Sequence, residues 1–282
     1  MIFYKMKIDS HQHFWKYNPE RDTWITDEMS VIQKNFYPEN LITVLQKNGI
    51  DGCVSVQADQ SLEETQFLID FAEKNDFIKA VVGWIDLQAE DIEEQLAVWK
   101  SKKKLAGFRH VLQAEPDIDY MLRPQFLRGI KALLKNDFTY DILIFPKHLS
   151  VAQKFVSPFP DQAFVLDHIA KPYIKAGLID DWKKDIEDLA KFENVQCKIS
   201  GIITEADWGK WTYQHIKPYL DVVFESFGTD RVMFGSDWPV CLVAGEYAQV
   251  KAIVETYTKD FSTSEKSKVF GINAAKFYNF SL

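Results

Sequence analysis

Histidine and aspartate side chains able to bind a metal ion or activate water occur at two separated places in the sequence. Asp9, His11 and His13 alternate along Ile8–His13. In extended backbone alternate residues share one face, so two imidazoles can converge on one metal ion or one substrate oxygen. Asp237 ends an apolar run and precedes Trp and Pro. An aspartate in that position is a candidate general base or metal ligand.

Cationic and acidic side chains follow other apolar runs. Arg109 and His110 are adjacent, and a guanidinium beside an imidazole suits a carboxylate or a polarised carbonyl oxygen. Asp167 and His168 are also adjacent, so the alternation of a strand predicts that only one of them faces inward. Lys198 lies within an apolar run, where it needs a carboxylate partner, and we interpret it as a buried counter-ion.

The elements that must position these residues alternate along the chain. Eight short apolar runs are each followed by an amphipathic stretch, which predicts a (β/α)8 TIM barrel of class α/β, in which chemistry occurs at the carboxyl ends of the strands. The alternative, an open doubly wound sheet, would normally carry a Gly-rich turn after its first strand, and none is present. The predicted strands are Lys7–His13, Gly52–Ala58, Lys79–Asp86, Ala106–Leu112, Tyr140–Phe145, Ala163–Ile169, Val195–Gly201 and Val232–Asp237.

Length and composition limit the class of protein. The chain has 282 residues and a net charge of −8, which argues against binding to nucleic acid or to an anionic membrane. No apolar stretch is long enough to span a bilayer. Three cysteines in apolar runs fit a reducing cytoplasm. We expect one cytoplasmic domain, residues 1–282, with residues 1–6 as an N-terminal extension.

Longer motifs around these residues carry a resemblance to a known family. They are Asp9-Ser-His-Gln-His-Phe-Trp15, Gly107-Phe-Arg-His-Val-Leu-Gln113, Leu166-Asp-His-Ile-Ala-Lys-Pro172, Lys198-Ile-Ser-Gly201 with Thr204-Glu-Ala-Asp-Trp208, and Phe234-Gly-Ser-Asp-Trp-Pro239. Together they resemble the amidohydrolase superfamily, and more narrowly its sugar-lactone hydrolase branch, which includes fuconolactonase-like and rhamnonolactonase-like enzymes. The resemblance runs from about Lys7 to the end of the chain.

The resemblance implies hydrolysis of an aldonolactone, a small-molecule sugar lactone, at the mouth of the barrel. The superfamily's metal-ligand positions fall on His11, His13 and Asp237. The fifth strand departs from the pattern, since His148 follows it a few residues late, and the carbamylated lysine of binuclear branches has no clear counterpart. The cofactor expected is at most one divalent metal ion, zinc, weakly bound or dispensable, with no organic cofactor.

Each candidate residue has an expected role in lactone hydrolysis. Asp237 is the expected base for water, and His168, His110 and Arg109 are expected to act on the carbonyl oxygen, with His11 and His13 as further donors. Three tryptophans at strand ends are candidates for an apolar wall against the sugar ring, and three polar residues are candidates for hydrogen bonds to its hydroxyls. These substrate-binding candidates are Trp15, Trp84 and Trp238, and Gln57, Asp86 and Glu205.

Two other functions remain open from the sequence. One is another amidohydrolase-type reaction, by a dicarboxylate lactonase or a metal-dependent decarboxylase. A dicarboxylate would need several cations at the barrel mouth, where Arg109 is clearly placed and Lys147 and Lys171 less so, and this favours a neutral sugar. The other is a sugar-binding or interaction protein without catalysis, which would have no need of Asp237 as a base. The oligomeric state cannot be read from the sequence.

Overall fold

In the computed structural model, which describes residues 6–282, eight strands pair side by side in chain order and all are parallel. Helices follow the strands, so the predicted (β/α)8 barrel is confirmed. Residues 1–5 of the predicted N-terminal extension lie outside the described residues. The strands are β1 Ile8–Gln12, β2 Gly52–Val56, β3 Ile78–Gly83, β4 Leu105–His110, β5 Thr139–Ile142, β6 Phe164–Leu166, β7 Val195–Ile199 and β8 Val232–Phe234.

The helices pack around the outside of the barrel and cover one of its ends. None in residues 6–282 combines the length and the apolar character needed to cross a membrane. Short 3-10 turns, among them Asp27–Ile32 and Asp167–Ala170, lie in the loops at the strand ends. The α-helices are α1 Pro38–Lys47, α2 Leu62–Lys74, α3 Ile92–Trp99, α4 Pro124–Lys135, α5 Leu149–Val156, α6 Asp180–Leu189, α7 Tyr213–Phe227, α8 Tyr247–Tyr257, α9 Thr263–Ser267 and α10 Asn273–Phe277.

Two strands end earlier than the apolar pattern predicts. β6 stops at Leu166 and β8 at Phe234, three residues short of each prediction. The backbone beyond leaves the extended region, with positive φ from His168 to Lys171 and again at Asp237. The chemistry-bearing residues that follow these strands therefore lie on turns, and the alternation of a strand does not decide where they point.

The last predicted helix, Ser264–Tyr278, is divided. α9 and α10 are joined by a π-helical segment, Lys268–Ile272. A Cβ at Gly271 would lie 2.3 Å from the carbonyl oxygen of Met6, so glycine is required for this close approach. α10 then lies across the bottom of the barrel. Its Phe277 packs, together with the neighbouring Tyr278, against the apolar floor formed by Ile8, Val54, Val56, Val82, Val165 and Met233.

The barrel closes between β8 and β1 through side chains and an isolated bridge. The amide of His13 donates to the Trp238 carbonyl at 2.7 Å, and that of Asp237 donates to the His11 carbonyl at 2.8 Å. The buried Asp9 carboxylate accepts from the Ser236 amide at 2.8 Å and from the Tyr247 hydroxyl at 3.0 Å. Asp9 therefore does not share a face with the two histidines, because the β1–β2 register shifts beyond it.

The start of α2 holds the loop after β2 in place. The Ser61 hydroxyl accepts from the Glu64 amide at 3.2 Å and so caps the helix. The Glu64 carboxylate, however, accepts the amides of Ala58 and Asp59 at 2.9 and 2.7 Å, and these are residues of the loop. Burial raises the pKa of Glu64 to about 8, although these hydrogen bonds oppose the rise.

This raised pKa predicts a pH-dependent stability. Because the folded-state pKa of Glu64 lies above its ordinary 4.5, folding takes up a proton between pH 4.5 and about 8. Its contribution is complete below pH 4.5 and is lost as the pH rises toward 8. We expect Glu64→Gln to match the wild type at pH 5 and to exceed its free energy of unfolding by about 1–3 kcal/mol at pH 8.5, measured by urea unfolding. Glu63→Gln, at an exposed neighbour, is the control; equal pH dependence in wild type and Glu64→Gln would contradict the assignment.

Candidate active site

A buried carboxylate, Asp167, joins four strand ends at the mouth of the barrel. Its Oδ2 accepts from Arg109 Nη1 of β4 at 2.9 Å. Its Oδ1 lies 3.0 Å from Lys198 Nζ of β7 and 3.2 Å from His11 Nδ1 of β1. Burial alone would raise the pKa of Asp167, but Lys198, His11 and Arg109 outweigh it and hold that pKa well below the usual range. Asp167 is therefore a fixed anion that orients the cations around it.

The Arg109 guanidinium is held from a second side by the end of β2. Its Nη2 donates to the backbone oxygen of Gln57 and, at 3.2 Å, to Gln57 Oε1. The Gln57 amide in turn donates to the Arg109 carbonyl at 3.1 Å. Gln57 is fully buried by these contacts. The sequence predicts that Gln57 binds sugar hydroxyls; in the structure Gln57 instead holds the Arg109 guanidinium in place.

Lys198 is fully buried, which agrees with its interpretation as a buried counter-ion. Besides contacting Asp167, Lys198 Nζ donates to Asp141 Oδ2 of β5 at 2.5 Å. The same Asp141 oxygen accepts from the Tyr278 hydroxyl at 2.8 Å. A buried ammonium is tolerated when carboxylates surround it in this way. The charges form a continuous layer above the apolar floor of the barrel.

His11, His13 and Asp237 converge on one point, where their ligand atoms can hold a divalent cation. His13 Nε2 lies 3.3 Å from His11 Nε2 and 3.2 Å from Asp237 Oδ1. Because His13 Nδ1 contacts the Val56 carbonyl at 2.7 Å, and a carbonyl only accepts, the His13 proton is on Nδ1. The lone pair of Nε2 thus faces a carboxylate oxygen, and a cation between them satisfies both. The donor set fits a metal ion of the zinc type.

Neighbouring charges keep Asp237 ionised. Burial raises its pKa, but the neighbouring His168, His13 and Lys171 lower it by more, so the pKa of Asp237 lies below the ordinary aspartate value. Burial lowers the pKa of His11 and of His168 well below the ordinary histidine value. At neutral pH an aspartate anion, Asp237, therefore lies beside the neutral imidazoles of His11 and His168.

His168 joins this cluster although Asp167 already faces it. Its ring lies 4.4 Å from the His11 ring, and its Nδ1 contacts the Ser200 hydroxyl at 2.9 Å. Both neighbours reach the same site because the left-handed turn after β6 breaks the alternation of the strand. A Cβ at Gly201 would lie 2.7 Å from His168 Nδ1, so glycine leaves the room that the ring occupies. Asp167 is the central site residue that sequence reasoning did not assign, and no sequence signal marks this turn as left-handed.

A cavity of about 360 Å³ opens above the cluster. Its floor contains four predicted site residues: His13, Arg109, His168 and Asp237. Its walls come from loops after several strands and mix polar with apolar side chains. They are Thr23, Trp24, Ala58, Asp59, Gln60, Val111, Gln113, Ala114, Leu143, Lys171 and Val240.

His110 does not join the cluster. Trp84 Nε1 donates to His110 Nδ1 at 3.3 Å, and His110 Nε2 contacts Glu115 Oε1 at 2.7 Å. Its ring stacks on Tyr120 at 5.0 Å. Both ring nitrogens are thus used outside the cavity, because Arg109, its neighbour on β4, takes the inward face. The structure does not support the predicted role of His110 at the carbonyl, nor a place for Trp84 in the substrate wall.

The other two predicted tryptophans also lie outside the cavity wall. Trp15 is buried and donates to the Lys34 carbonyl at 2.9 Å. Trp238 packs edge-on against Phe14 and Phe36. The aromatic residue that does line the cavity is Trp24, 43% exposed, in the long loop between β1 and α1. The available signal for it is a tryptophan in the loop that follows the first strand.

Of the remaining predicted polar residues, Glu205 lies beside the cavity and Asp86 does not line it. Asp86 is exposed beyond β3, accepts the Gln88 amide at 2.9 Å, and does not line the cavity. Glu205 lies beside the cavity, 3.9 Å from the Nζ of Lys171, and burial raises its pKa. His148, the late residue after β5, accepts the Phe145 amide at the start of α5 and is not a ligand in the cluster.

Comparisons with known proteins agree on one family. The family model described as amidohydrolase matches residues 8–280. The chain is 38% identical to the L-fucono-1,5-lactonase of Burkholderia multivorans, over 97% of this chain and 96% of that protein. It is 34% identical to the L-fucono-1,5-lactonase of Burkholderia ambifaria, over 96% and 95%. A crystal structure of an amidohydrolase from Burkholderia multivorans with bound zinc superposes with a TM-score of 0.94 at 37% identity, covering 98% of this chain and all of that one.

The convergence of His11, His13 and Asp237 predicts one divalent-cation site per chain. We expect His13→Asn to raise the dissociation constant for Zn²⁺ at least tenfold, since even removal of a group that only orients a ligand typically costs about 10–100-fold. Isothermal titration of the metal-stripped protein with zinc measures it. His215→Asn, remote at the start of α7, is the matched control. Unchanged zinc affinity in His13→Asn would show that the ion binds elsewhere.

Proposed function

Because the chain belongs to the amidohydrolase family, we propose that it hydrolyses the ring ester of a sugar aldonolactone to the aldonic acid. The observation that carries this proposal is an ionised, buried Asp237 at the floor of a cavity that also presents Arg109 and His168. A lactone carbonyl is more electrophilic than an amide carbonyl, so a base, hydrogen-bond donors and a shaped cavity suffice. The names of the two Burkholderia relatives support a lactone of the L-fucono type.

Asp237 acts as the base for the attacking water. Its Oδ1 lies 3.2 Å from His13 Nε2, and in residues 6–282 its Oδ2 accepts no hydrogen bond from the protein, so Oδ2 is available to water. Its lowered pKa keeps the carboxylate ionised throughout the neutral range. The left-handed backbone at Asp237, with φ of 58°, fixes the carboxylate at the end of β8. A positioned base of this kind contributes about 10²–10⁴ in rate.

Arg109 and His168 face the charge that develops on the carbonyl oxygen. Asp167 and Gln57 hold the Arg109 guanidinium so that it needs no reorganisation during the reaction. Ser200 engages His168 Nδ1, which leaves Nε2 as the nitrogen for substrate. Both residues line the cavity with Asp237. Preorganised donors of this kind stabilise the tetrahedral intermediate of acyl transfer.

A single zinc ion, bound weakly, fits His11, His13 and Asp237. When bound, zinc would polarise the lactone carbonyl or acidify water. Weak binding is supported by Arg109 Nη1, which lies 3.3 Å from His11 Nε2 and places a competing positive charge beside the ligands. β5 also supplies no further ligand in the described chain. We therefore propose that the metal is dispensable for the basal reaction and that no organic cofactor takes part.

The cavity walls suit a neutral sugar ring. Trp24 offers an exposed aromatic face for the apolar C–H side of the ring, and Val111 and Leu143 add apolar surface. Asp59 and Gln60 offer hydrogen bonds to hydroxyls. A dicarboxylate substrate, or decarboxylation of one, would need several free cations. Within the described cavity the cations are Arg109 and Lys171, and Arg109 is already paired with Asp167.

We also propose a cytoplasmic enzyme whose partner is the small-molecule lactone, with no role at nucleic acid or membrane. The net charge of −8 supports the exclusion of anionic partners. The three cysteines, Cys53, Cys197 and Cys241, are buried and unpaired, which fits a reducing compartment.

The test of Asp237 compares two aspartates that both have a positive φ. We expect Asp237→Asn to lower kcat for L-fucono-1,5-lactone by about 10²–10⁴, because the amide cannot take the proton of water. Asp137→Asn is the matched control: it also has a positive φ, 63°, but it is exposed before β5, at the opposite end of the barrel. Proton release followed with a pH indicator measures turnover, corrected for spontaneous hydrolysis.

The same assay with a panel of D- and L-aldonolactones tests the function itself. The proposal expects acceleration of at least one sugar lactone by the wild type. A panel without enzymatic turnover would instead favour another amidohydrolase-type reaction, and full turnover by Asp237→Asn would remove Asp237 as the base.

A further inference from the structure

The motif Asp167-His-Ile-Ala-Lys-Pro172 contains a lysine that the mechanism above leaves unused. We propose that Lys171 is the general acid that protonates the ring oxygen of the lactone as the C–O bond breaks. The inference rests on the proposed lactone hydrolysis. It assigns a second catalytic proton transfer to the same cavity.

An unusual backbone carries Lys171 into the cavity. His168, Ile169, Ala170 and Lys171 have consecutive φ values of 55°, 48°, 59° and 50°, a left-handed turn built without glycine. Residues with a Cβ disfavour this region because the side chain crowds the backbone, and Lys171 also precedes a proline, which disfavours helical backbone at that position. Strain of this kind persists where the surroundings enforce it, and it concentrates at functional sites.

The surroundings of the turn are rigid. The Lys171 amide donates to the His168 carbonyl at 2.8 Å, and Trp182 Nε1 donates to the Ile169 carbonyl at 2.8 Å. Ile169 and Ala170 are fully buried. The turn therefore places the side chains of His168 and Lys171, three residues apart, in the same cavity.

The Lys171 ammonium is available to a ligand. Its nearest acidic neighbour is Glu205, at 3.9 Å, which is too long for a hydrogen bond. The Phe145 ring centre lies 5.7 Å away. Among the described residues no acceptor lies within hydrogen-bond distance of Nζ, and the side chain retains 19% of its exposure. A cation fixed in a cavity without a committed acceptor can donate to substrate.

Ring opening needs a proton at the departing ring oxygen, and Lys171 supplies it while Asp237 serves as the base. The oxygen of water attacks the carbonyl carbon, the carbonyl π electrons move to oxygen, and Asp237 takes the proton of water. The C=O bond then re-forms, and the ring C–O bond breaks with its electron pair on the ring oxygen. This oxygen takes a proton from the Lys171 ammonium and becomes a sugar hydroxyl.

Proton balance is restored after ring opening. The new carboxylic acid returns a proton to the neutral Lys171 amine, and Asp237 releases its proton to solvent, so one proton is released per lactone. Arg109, the other cation of the cavity, cannot serve as the acid because guanidinium does not lose its proton in proteins. His168 is held neutral by burial, which lowers its pKa.

Substitution separates catalysis from binding. Lys171→Met is expected to lower kcat by about 10²–10⁴ with KM changed less than about threefold. Lys171→Arg, which keeps the charge but cannot give up a proton, is expected to lose kcat as well. Lys175→Met is the matched control, since Lys175 is exposed, pairs with Asp207 at 3.6 Å and does not line the cavity.

Chemical modification separates the proton from the charge. The native cysteines are buried, so Lys171→Cys provides one accessible thiol among the described residues. Alkylation with 2-bromoethylamine restores an ammonium, whereas (2-bromoethyl)trimethylammonium restores only a fixed charge. We expect the first reagent to recover kcat at least tenfold over the unmodified variant and the second to leave it unchanged; treated wild type is the control.

The outcomes distinguish this inference from the proposed function. If the wild type turns the lactone over, any of four results would overturn Lys171 as the acid and leave lactone hydrolysis intact. They are a kcat of Lys171→Met within threefold of the wild type, a loss confined to KM, equal recovery by both reagents, and recovery by neither reagent. Absence of turnover in the wild type would instead overturn the proposed function.

Discussion

A single buried anion, the Asp167 carboxylate, determines how the mouth of this barrel is arranged. It contacts Arg109 from β4, Lys198 from β7 and His11 from β1, and each of these is at most 4% exposed. Burying a charge is costly unless partners surround it, so removal of the anion would leave Arg109 without a carboxylate partner and Lys198 with Asp141 alone. The strand ends are therefore fixed relative to one another by the same contacts that orient the catalytic groups.

The functional groups depend on this arrangement in two layers. Below, Asp141 and Tyr278 connect the buried charges to the apolar floor and to the end of α10. Above, His13, Arg109, His168 and Asp237 face the cavity. Because the proposed base and the donors proposed to face the carbonyl are fixed before substrate arrives, the barrel would spend little energy on reorganisation during ester cleavage. The same rigidity supports the strained turn that carries Lys171.

Sequence patterns predict much of the fold and the centre of the site, for identifiable reasons. Apolar runs and amphipathic stretches alternate eight times, and the polar residues of a barrel's active site lie at the carboxyl ends of its strands. These two patterns are enough to predict that five residues lie close together: His11, His13, Arg109, His168 and Asp237. Asp167 is missed because the period of two assumes extended backbone, whereas the chain turns left-handed without glycine. The predicted tryptophans lie outside the cavity wall because loop packing, as between Trp238 and Phe36, depends on contacts far apart in sequence.

The central claim is that lactone hydrolysis depends on the charge of Asp167 rather than on its shape. Asp167→Asn keeps the shape and removes the charge. In protein shown to be folded by circular dichroism, the account predicts that kcat/KM for L-fucono-1,5-lactone falls at least about 100-fold, since small displacements of catalytic groups cost that much. A folded Asp167→Asn variant with kcat/KM within threefold of the wild type would contradict it.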